Sequence, residues 1–444
     1  MNLFVVVSTG QKVANLPPVL EHADVGDHVV WVESEEAKRA NWTTPPREVL
    51  EGYGLVTAAV VSVPLVNDPT AVANQLADLA AASRGQYDCM YLVANGGQKL
   101  SPLGLVAAFR ELSPHLLYGE EKPAVSAVYP ADFTRPPTVA GYTRHSLDLP
   151  DILRVNGRTF ATHSRHARVW PDPAPAEWAT ERYGVDEAYT AELHAAHFAR
   201  ASVPAHDARV PFDDLPRLVP EPLNKWQRTA ATLRHALNPQ SLASVYNATL
   251  NLDEFARRAV AVQAVAAPVA PLGPTLEVAV ARRVRAWAEA TRHPAVRSVW
   301  LGVKVASESA PHVVDQEWDI LLVLTNGVLF HLECKSAELD ARDLDGRTHR
   351  LREAGSQLAR QVCVLPVYTA HAGTPWFAAL RVQRRAAEAR RVTVIGFGLP
   401  GQPEQYAVPD TEPAEMAHCP PFETELARLL APYGKPATTP AVGA

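Results

Sequence analysis

Two apolar runs joined through Asn326-Gly327 constrain this chain more than any other stretch. Ile320 to Leu324 precede the turn and Val328 to Leu332 follow it. Asn-Gly between such runs is the strongest short-range hairpin signal, because the tight turn needs residues that tolerate positive φ. The strands end in Asp319 on one side and in Glu333-Cys334-Lys335 on the other, so the hairpin carries charges at its mouth.

The hydrophobic pattern selects the register. A two-residue turn sets Asp319 opposite Cys334, on the other face from Glu333 and Lys335. A three-residue turn, Thr325 to Gly327 with Gly327 left-handed as a bulge, pairs Asp319 with Glu333 and Leu324 with Val328. Only the second register gathers Ile320, Leu322, Leu324, Val328, Phe330 and Leu332 on one face and Asp319, Glu333 and Lys335 on the other, since side chains alternate along a strand. The three-residue turn is therefore expected.

Two carboxylates converging beside a lysine suit phosphodiester chemistry. Mg²⁺ or Mn²⁺ takes oxygen ligands from carboxylates and phosphate, polarises the phosphate and acidifies a bound water. The lysine orients that water or stabilises developing charge. The other reading of the same residues is a surface hairpin ending in an ion pair.

At 444 residues, two or three domains are expected. Apolar content of 47% against 20% charged describes a globular protein with ample core. No run approaches 18 apolar residues and the first residues enter a strand-like segment, so a cytoplasmic protein with no membrane partner is expected. Cys89, Cys334, Cys363 and Cys419 form no CxxC pair, so neither a zinc site nor a disulfide framework is indicated and buried thiols are expected. The net charge of -6 is unevenly spread: residues 272–400 hold 17 Lys+Arg against 13 Asp+Glu, residues 1–150 hold 10 against 16. The basic balance accompanies the hairpin.

Residues 1–150 alternate strand candidates (Leu3 to Val7, His28 to Val32, Leu55 to Val63, Asp88 to Ala94, Ala124 to Tyr129) with helical stretches (Pro69 to Ser83, Pro102 to Leu112). This is the pattern of an open parallel α/β sheet, a Rossmann-like domain, whose ligands bind beyond the strands' carboxyl ends. Ser8-Thr9-Gly10-Gln11 follows the first strand and Asn95-Gly96-Gly97-Gln98-Lys99 the fourth. Both offer close backbone approach and donors to a phosphate, though both are also ordinary turn compositions. Neither matches a dinucleotide or P-loop fingerprint.

Residues 158–271 are punctuated by proline and read as a helical connector. Within them, His163 with His166 and His194 with His197 have a spacing that can hold a metal on a helix, or that of packed histidines. A helix opens near Thr275, with Leu276, Val280, Val284 and Trp287 on its apolar stripe and Glu277 at the margin, either a further metal ligand or a solvated residue. Glu317 points to the face of Asp319 and would pair with Lys335, either as a further ligand or as that lysine's partner, and Gln357, on a helix around Arg350 to Gln361, is a candidate supporting residue. Arg381, Arg384, Arg385, Arg390 and Arg391 can track a phosphate backbone or simply face solvent, and residues 432–444 read as a disordered tail.

The order helix with Glu277, strand, Asp319, Glu333-Cys334-Lys335, helix resembles the PD-(D/E)xK restriction-endonuclease-like fold. Glu317-Trp318-Asp319 to Glu333-Cys334-Lys335 is similar to the E-x-D to E-C-K core of a branch that joins the nuclease to an N-terminal CARF domain. Asn95 to Lys99 is similar to that branch's N-x-T-G-G-T-K signature, with Gln98 in place of threonine, and Leu147 to Gly157 is similar to the segment closing its sensor. The resemblance implies a CARF-like sensor over 1–157 and a nuclease domain over 272–431. It further implies a homodimer that binds cyclic oligoadenylate, the tetramer above all, at Ser8 to Gln11 and Asn95 to Lys99. That ligand would activate a metal-dependent endonuclease with Asp319, Glu333 and Lys335 catalytic and Asp319, Glu333 and Glu277 on the metal, cutting DNA or RNA with little sequence preference in type III CRISPR antiviral defence. The alternatives are a restriction or repair nuclease independent of cyclic oligoadenylate, and a non-enzymatic sensor or regulator.

Overall fold

The computed structural model describes residues 1–63, 68–95, 100–164, 166–171, 272–334, 341–355, 359–366, 392–397 and 422–434. They build two seven-stranded sheets in a mixed α/β fold. In the first, β1 (Asn2–Val7), β2 (His28–Ser34), β3 (Val56–Val63), β4 (Cys89–Val93) and β5 (His115–Glu120) run parallel in the order β3-β2-β1-β4-β5. Leu3 to Val7 are all fully buried because β1 is central and covered on both faces, which explains its unbroken apolar run. Phe4 and Val6 pack with α1 (Leu16–His22) and α3 (Thr44–Gly52). Leu3, Val5 and Val7 pack with α4 (Pro69–Ala82) and α5 (Ser101–Phe109) on the opposite face. A short α2 (Glu35–Arg39) follows β2.

The wholly parallel expectation needs correction. Ala124 to Tyr129 forms β6 (Val125–Pro130), antiparallel to β5, and β7 (Thr138–Gly141) continues antiparallel from it. The sequence hides β5 because His115 to Glu120 follows a helical pattern almost at once and is too short to show a period.

The second sheet has the order β14-β13-β12-β11-β10-β8, with β9 also on β10. Its strands are β8 (Arg158–Phe160), β9 (Ala167–Trp170), β10 (Val296–Ser307), β11 (Gln316–Leu324), β12 (Leu329–Cys334), β13 (Arg360–Pro366) and β14 (Thr393–Phe397). Residues 158–160 and 167–170, expected to begin the connector, are thus strands at the margin of this sheet, too short to carry a pattern. Residues 172–271, with His194, His197 and the expected connector helices, lie outside the described residues, as do Arg381 to Arg391 and 435–444. His163 stands in a turn and His166 stacks on Phe160 at 3.8 Å between centroids, so that pair is not on a helix. The helix expected around Arg350 to Gln361 is α8 (Ala341–Gly355), and Arg360 and Gln361 instead open β13.

One face of the second sheet packs under α7 (Leu272–Thr291) and α9 (Phe422–Leu430). The other shares a single buried cluster with the first sheet: Trp300, Val303, Trp318, Leu321 and Leu329 join Phe4, Val13, Leu16, Val49 and Ile152. Helices α1, α3 and α6 (Leu149–Val155) lie in this shared layer. Asp148, which caps α6 in a capping box with Asp151, also accepts hydrogen bonds from Ser298 Oγ at 2.6 Å and Trp300 Nε1 at 3.2 Å. Helix start and second sheet are therefore fixed by one carboxylate. No helix among the described residues is long and apolar enough to cross a membrane.

Candidate active site and sensor loops

Strands β11 and β12 pair Ile320 with Leu332, Leu321 with His331 and Leu322 with Phe330, a register that sets Asp319 against Glu333 one step further. Leu324 N–H donates to Val328 O at 2.8 Å and Gly327 N–H to Leu324 O at 2.9 Å, with Gly327 at φ +80°. This is the expected three-residue turn with a left-handed glycine. Ile320, Leu322, Leu324, Val328, Phe330 and Leu332 all belong to the core beneath α7. The charged face is not an open mouth, however. Leu321, Val323 and Leu329 on it are buried in the shared layer, and Glu333 is 1% exposed.

The donor atoms of Asp319, His331 and Glu333 lie within 4.8 Å of one another. Cys334 N–H donates to Asp319 Oδ2 at 2.7 Å, and Asp319 N–H donates to His331 Nε2 at 3.2 Å. His331 Nε2 stands 3.4 Å from Glu333 Oε2. Burial first, then the carboxylates of Asp319, Glu277 and Glu333, push the Cys334 thiol well above its usual range. Three carboxylates thus bear on one buried thiol, but Glu277 on α7 is not among the groups whose ligand atoms lie within 4.8 Å of one another. A carboxylate as deep as Glu333 costs several kcal/mol unless positive charge accompanies it, and with Asp319 beside it the pair fits a divalent cation.

The strand alternation slips beside Asp319. Leu301 and Ile320 face the core under α7, whereas their neighbours two positions on, Val303 and Trp318, join the shared layer. Between them Gly302, which the register sets next to Asp319, has φ +59°. Such irregularities re-aim side chains, and here the re-aimed residue is the aspartate.

Glu317 is not brought to this cluster. It is 58% exposed along its side chain and forms an ion pair with Lys304 at 3.3 Å across β10 and β11, while Lys335, its expected partner, lies outside the described residues. Gln357 lies outside them as well. His331 escaped the sequence reading, although alternation alone places it on the face of Glu333.

Of the sensor loops, Gly96, Gly97, Gln98 and Lys99 lie outside the described residues. Asn95 spends its side chain on the fold: Nδ2 donates to Gly119 O and Oδ1 accepts from Gly119 N–H, both at 2.6 Å. Ser8 is buried, its hydroxyl 2.8 Å from Thr43 Oγ1, which donates to Glu33 at 2.7 Å. Thr9 Oγ1 accepts from Gln11 N–H at 3.3 Å, while Gly10 and Gln11 are exposed. Gly10 is closed on one side by Trp42, whose ring would stand 3.3 Å from a Cβ there. Ser8 and Asn95 therefore shape the loops, and Gly10 and Gln11 are the parts open to a ligand.

Both loops lead to the turn of the hairpin. Val13, two residues past Gln11, would lie 2.6 Å from a Cβ on Gly327. Asn95 holds Gly119, and nearby Glu121 accepts from Asn326 Nδ2 at 3.1 Å through its backbone carbonyl. The Glu121 carboxylate receives Arg360 at 2.6 Å and the Tyr433 hydroxyl at 3.3 Å, whose own pKa is pushed up to about 12 by burial and by Glu121.

The sequence matches no protein-family model and no curated protein. Among solved structures it is similar to protein VC1899 from Vibrio cholerae, with a TM-score of 0.59 and 16% identity, covering 98% of this chain and 99% of that one. It is also similar to Can2 from Sulfobacillus thermosulfidooxidans, solved in complex with cyclic tetra-adenylate, with a TM-score of 0.51 and 11% identity over 89% of this chain and 95% of that one. At these identities the likeness establishes the fold, which the chain shares over nearly its whole length with both proteins.

Proposed function

We propose that this protein is an ancillary nuclease of type III CRISPR defence: a CARF-type sensor over the first sheet, a PD-(D/E)xK site on the second, and cleavage of nucleic acid switched on by cyclic oligoadenylate. The observation that carries the reading is the register of the hairpin, which brings Asp319 and Glu333 within ligand distance of a common ion in a fold shared with a cyclic tetra-adenylate complex.

Asp319 and Glu333 would hold Mg²⁺ or Mn²⁺, with Glu277 as further ligand or support. The ion supplies a polarised phosphate and an acidified water. Within the chain, Cys334 N–H fixes the Asp319 carboxylate, burial keeps Glu333 from bulk water, and Lys335 orients the attacking water or meets the developing charge. A ring of four identical nucleotides has the symmetry of a two-fold homodimer in which each subunit presents the same loops.

The test is substitution at both carboxylates. Asp319→Asn and Glu333→Gln should each lower cleavage by at least about a hundredfold while cyclic tetra-adenylate still binds. Retention of cleavage by both variants would sink the assignment.

A further inference from the structure

The position two residues before Glu333 is occupied by a histidine, and its ring is turned into the site. His331 is 1% exposed. Its Nε2 accepts the Asp319 N–H at 3.2 Å, which puts that nitrogen on the carboxylate side of the ring. The same nitrogen stands 3.4 Å from Glu333 Oε2. A ligand oxygen of the Asp319 carboxylate lies within 4.8 Å of both, so the three donor atoms converge on a volume that one cation could share. The bond from Asp319 N–H is at the long, weak end of the range, so exchanging it for an ion costs little.

We propose that His331 is a nitrogen ligand of the ion held by Asp319 and Glu333, and that it tilts this site toward a first-row transition ion over Mg²⁺. The inference rests on the metal-dependent reading above and refines it. Mg²⁺ prefers an all-oxygen octahedron and gains little from imidazole, whereas first-row transition ions accept mixed nitrogen and oxygen sets. Glu333 and His331 come from one strand face and Asp319 from the next strand, so the three donors are placed by backbone rather than by flexible loops.

Mn²⁺ bound to the full-length protein reports its own ligands by pulsed electron paramagnetic resonance. Wild type should show nitrogen-14 coupling on the bound ion. His331→Gln should lose that coupling and bind Mn²⁺ about tenfold or more weakly, while Mg²⁺ affinity, read by competition, shifts less than about threefold. Mn²⁺ bound to wild type without nitrogen coupling overturns the proposal, and so does coupling that survives in both His331→Gln and His331→Asn. Failure of Mn²⁺ to bind wild type at all, or binding unchanged in Asp319→Asn, overturns the metal reading itself, a different result from loss of the nitrogen signal alone.

Discussion

The side-chain amide of Asn326 donates to the backbone carbonyl of Glu121 at 3.1 Å, joining the turn of the hairpin that carries Asp319 and Glu333 to the turn between β5 and β6. The same β5–β6 unit is bracketed by Asn95 through Gly119. A loop expected to read the activator and the strands expected to cut are therefore two contacts apart. Asn326→Ala removes the link and should cost about 1 kcal/mol of stability. Under the proposed function its larger effect is on coupling: cyclic tetra-adenylate should still bind in calorimetry, while its stimulation of cleavage falls by about tenfold, or about 1.4 kcal/mol. Unchanged stimulation would remove this contact from the switch.

Gly327 sits at φ +80°, and any Cβ there would lie 2.6 Å from Val13 Cγ1. Gly327→Ala combines backbone strain with a clash against the first sheet unit, and thermal denaturation should show a loss of about 1–3 kcal/mol. Adding Val13→Ala should restore the part owed to the clash and leave the part owed to φ. Equal stability of single and double variants would mean that Val13 does not press on the turn.

Asn95 makes both of its side-chain bonds to Gly119 at 2.6 Å. Asn95→Ala leaves a backbone donor and acceptor unmatched in a partly buried place, a cost of about 1–3 kcal/mol. A melting temperature equal to wild type, with ligand binding lost, would instead make Asn95 a ligand contact.

Lys12 is half-buried where the Ser8 to Gln11 loop enters the next helix; burial lowers its pKa from 10.5, and Glu308 on the second sheet unit opposes the shift. A lysine whose folded pKa lies below its unfolded value binds fewer protons when folded, so stability rises as pH climbs through the folded pKa toward 10.5. Denaturation across that alkaline window should show the rise in wild type and not in Lys12→Met. An identical profile in both would refute the assignment.

The hairpin was legible because Asn326-Gly327 and strict alternation specify turn, register and faces together, without help from distant residues. The parallel strands β1 to β4 were legible for a similar reason, each being an apolar run with turn residues at its ends. Strands β5, β8 and β9 were not, since none is an unbroken apolar run and the last two, of three and four residues, pair in the sheet with β10 far along the chain. Glu121 could not be read as a hub: its partners Asn326 and Tyr433 lie 205 and 312 positions away, and only the fold brings them together. His331 was readable from alternation, but its burial was not, because the second cover over that face comes from the first sheet unit. The ion pair of Glu317 with Lys304 was not legible either, since it depends on the pairing of β10 with β11.

Under the proposed function, cyclic oligoadenylate turns on metal-dependent cleavage at the site built on Asp319 and Glu333. One gel tests it: labelled single-stranded DNA, RNA and duplex DNA incubated with the full-length protein and Mn²⁺, with and without cyclic tetra-adenylate, beside Asp319→Asn. Cleavage of at least one substrate should require the ligand, be lost with chelator and be absent in Asp319→Asn. Cleavage of equal strength without the ligand, or persisting in Asp319→Asn, would contradict it.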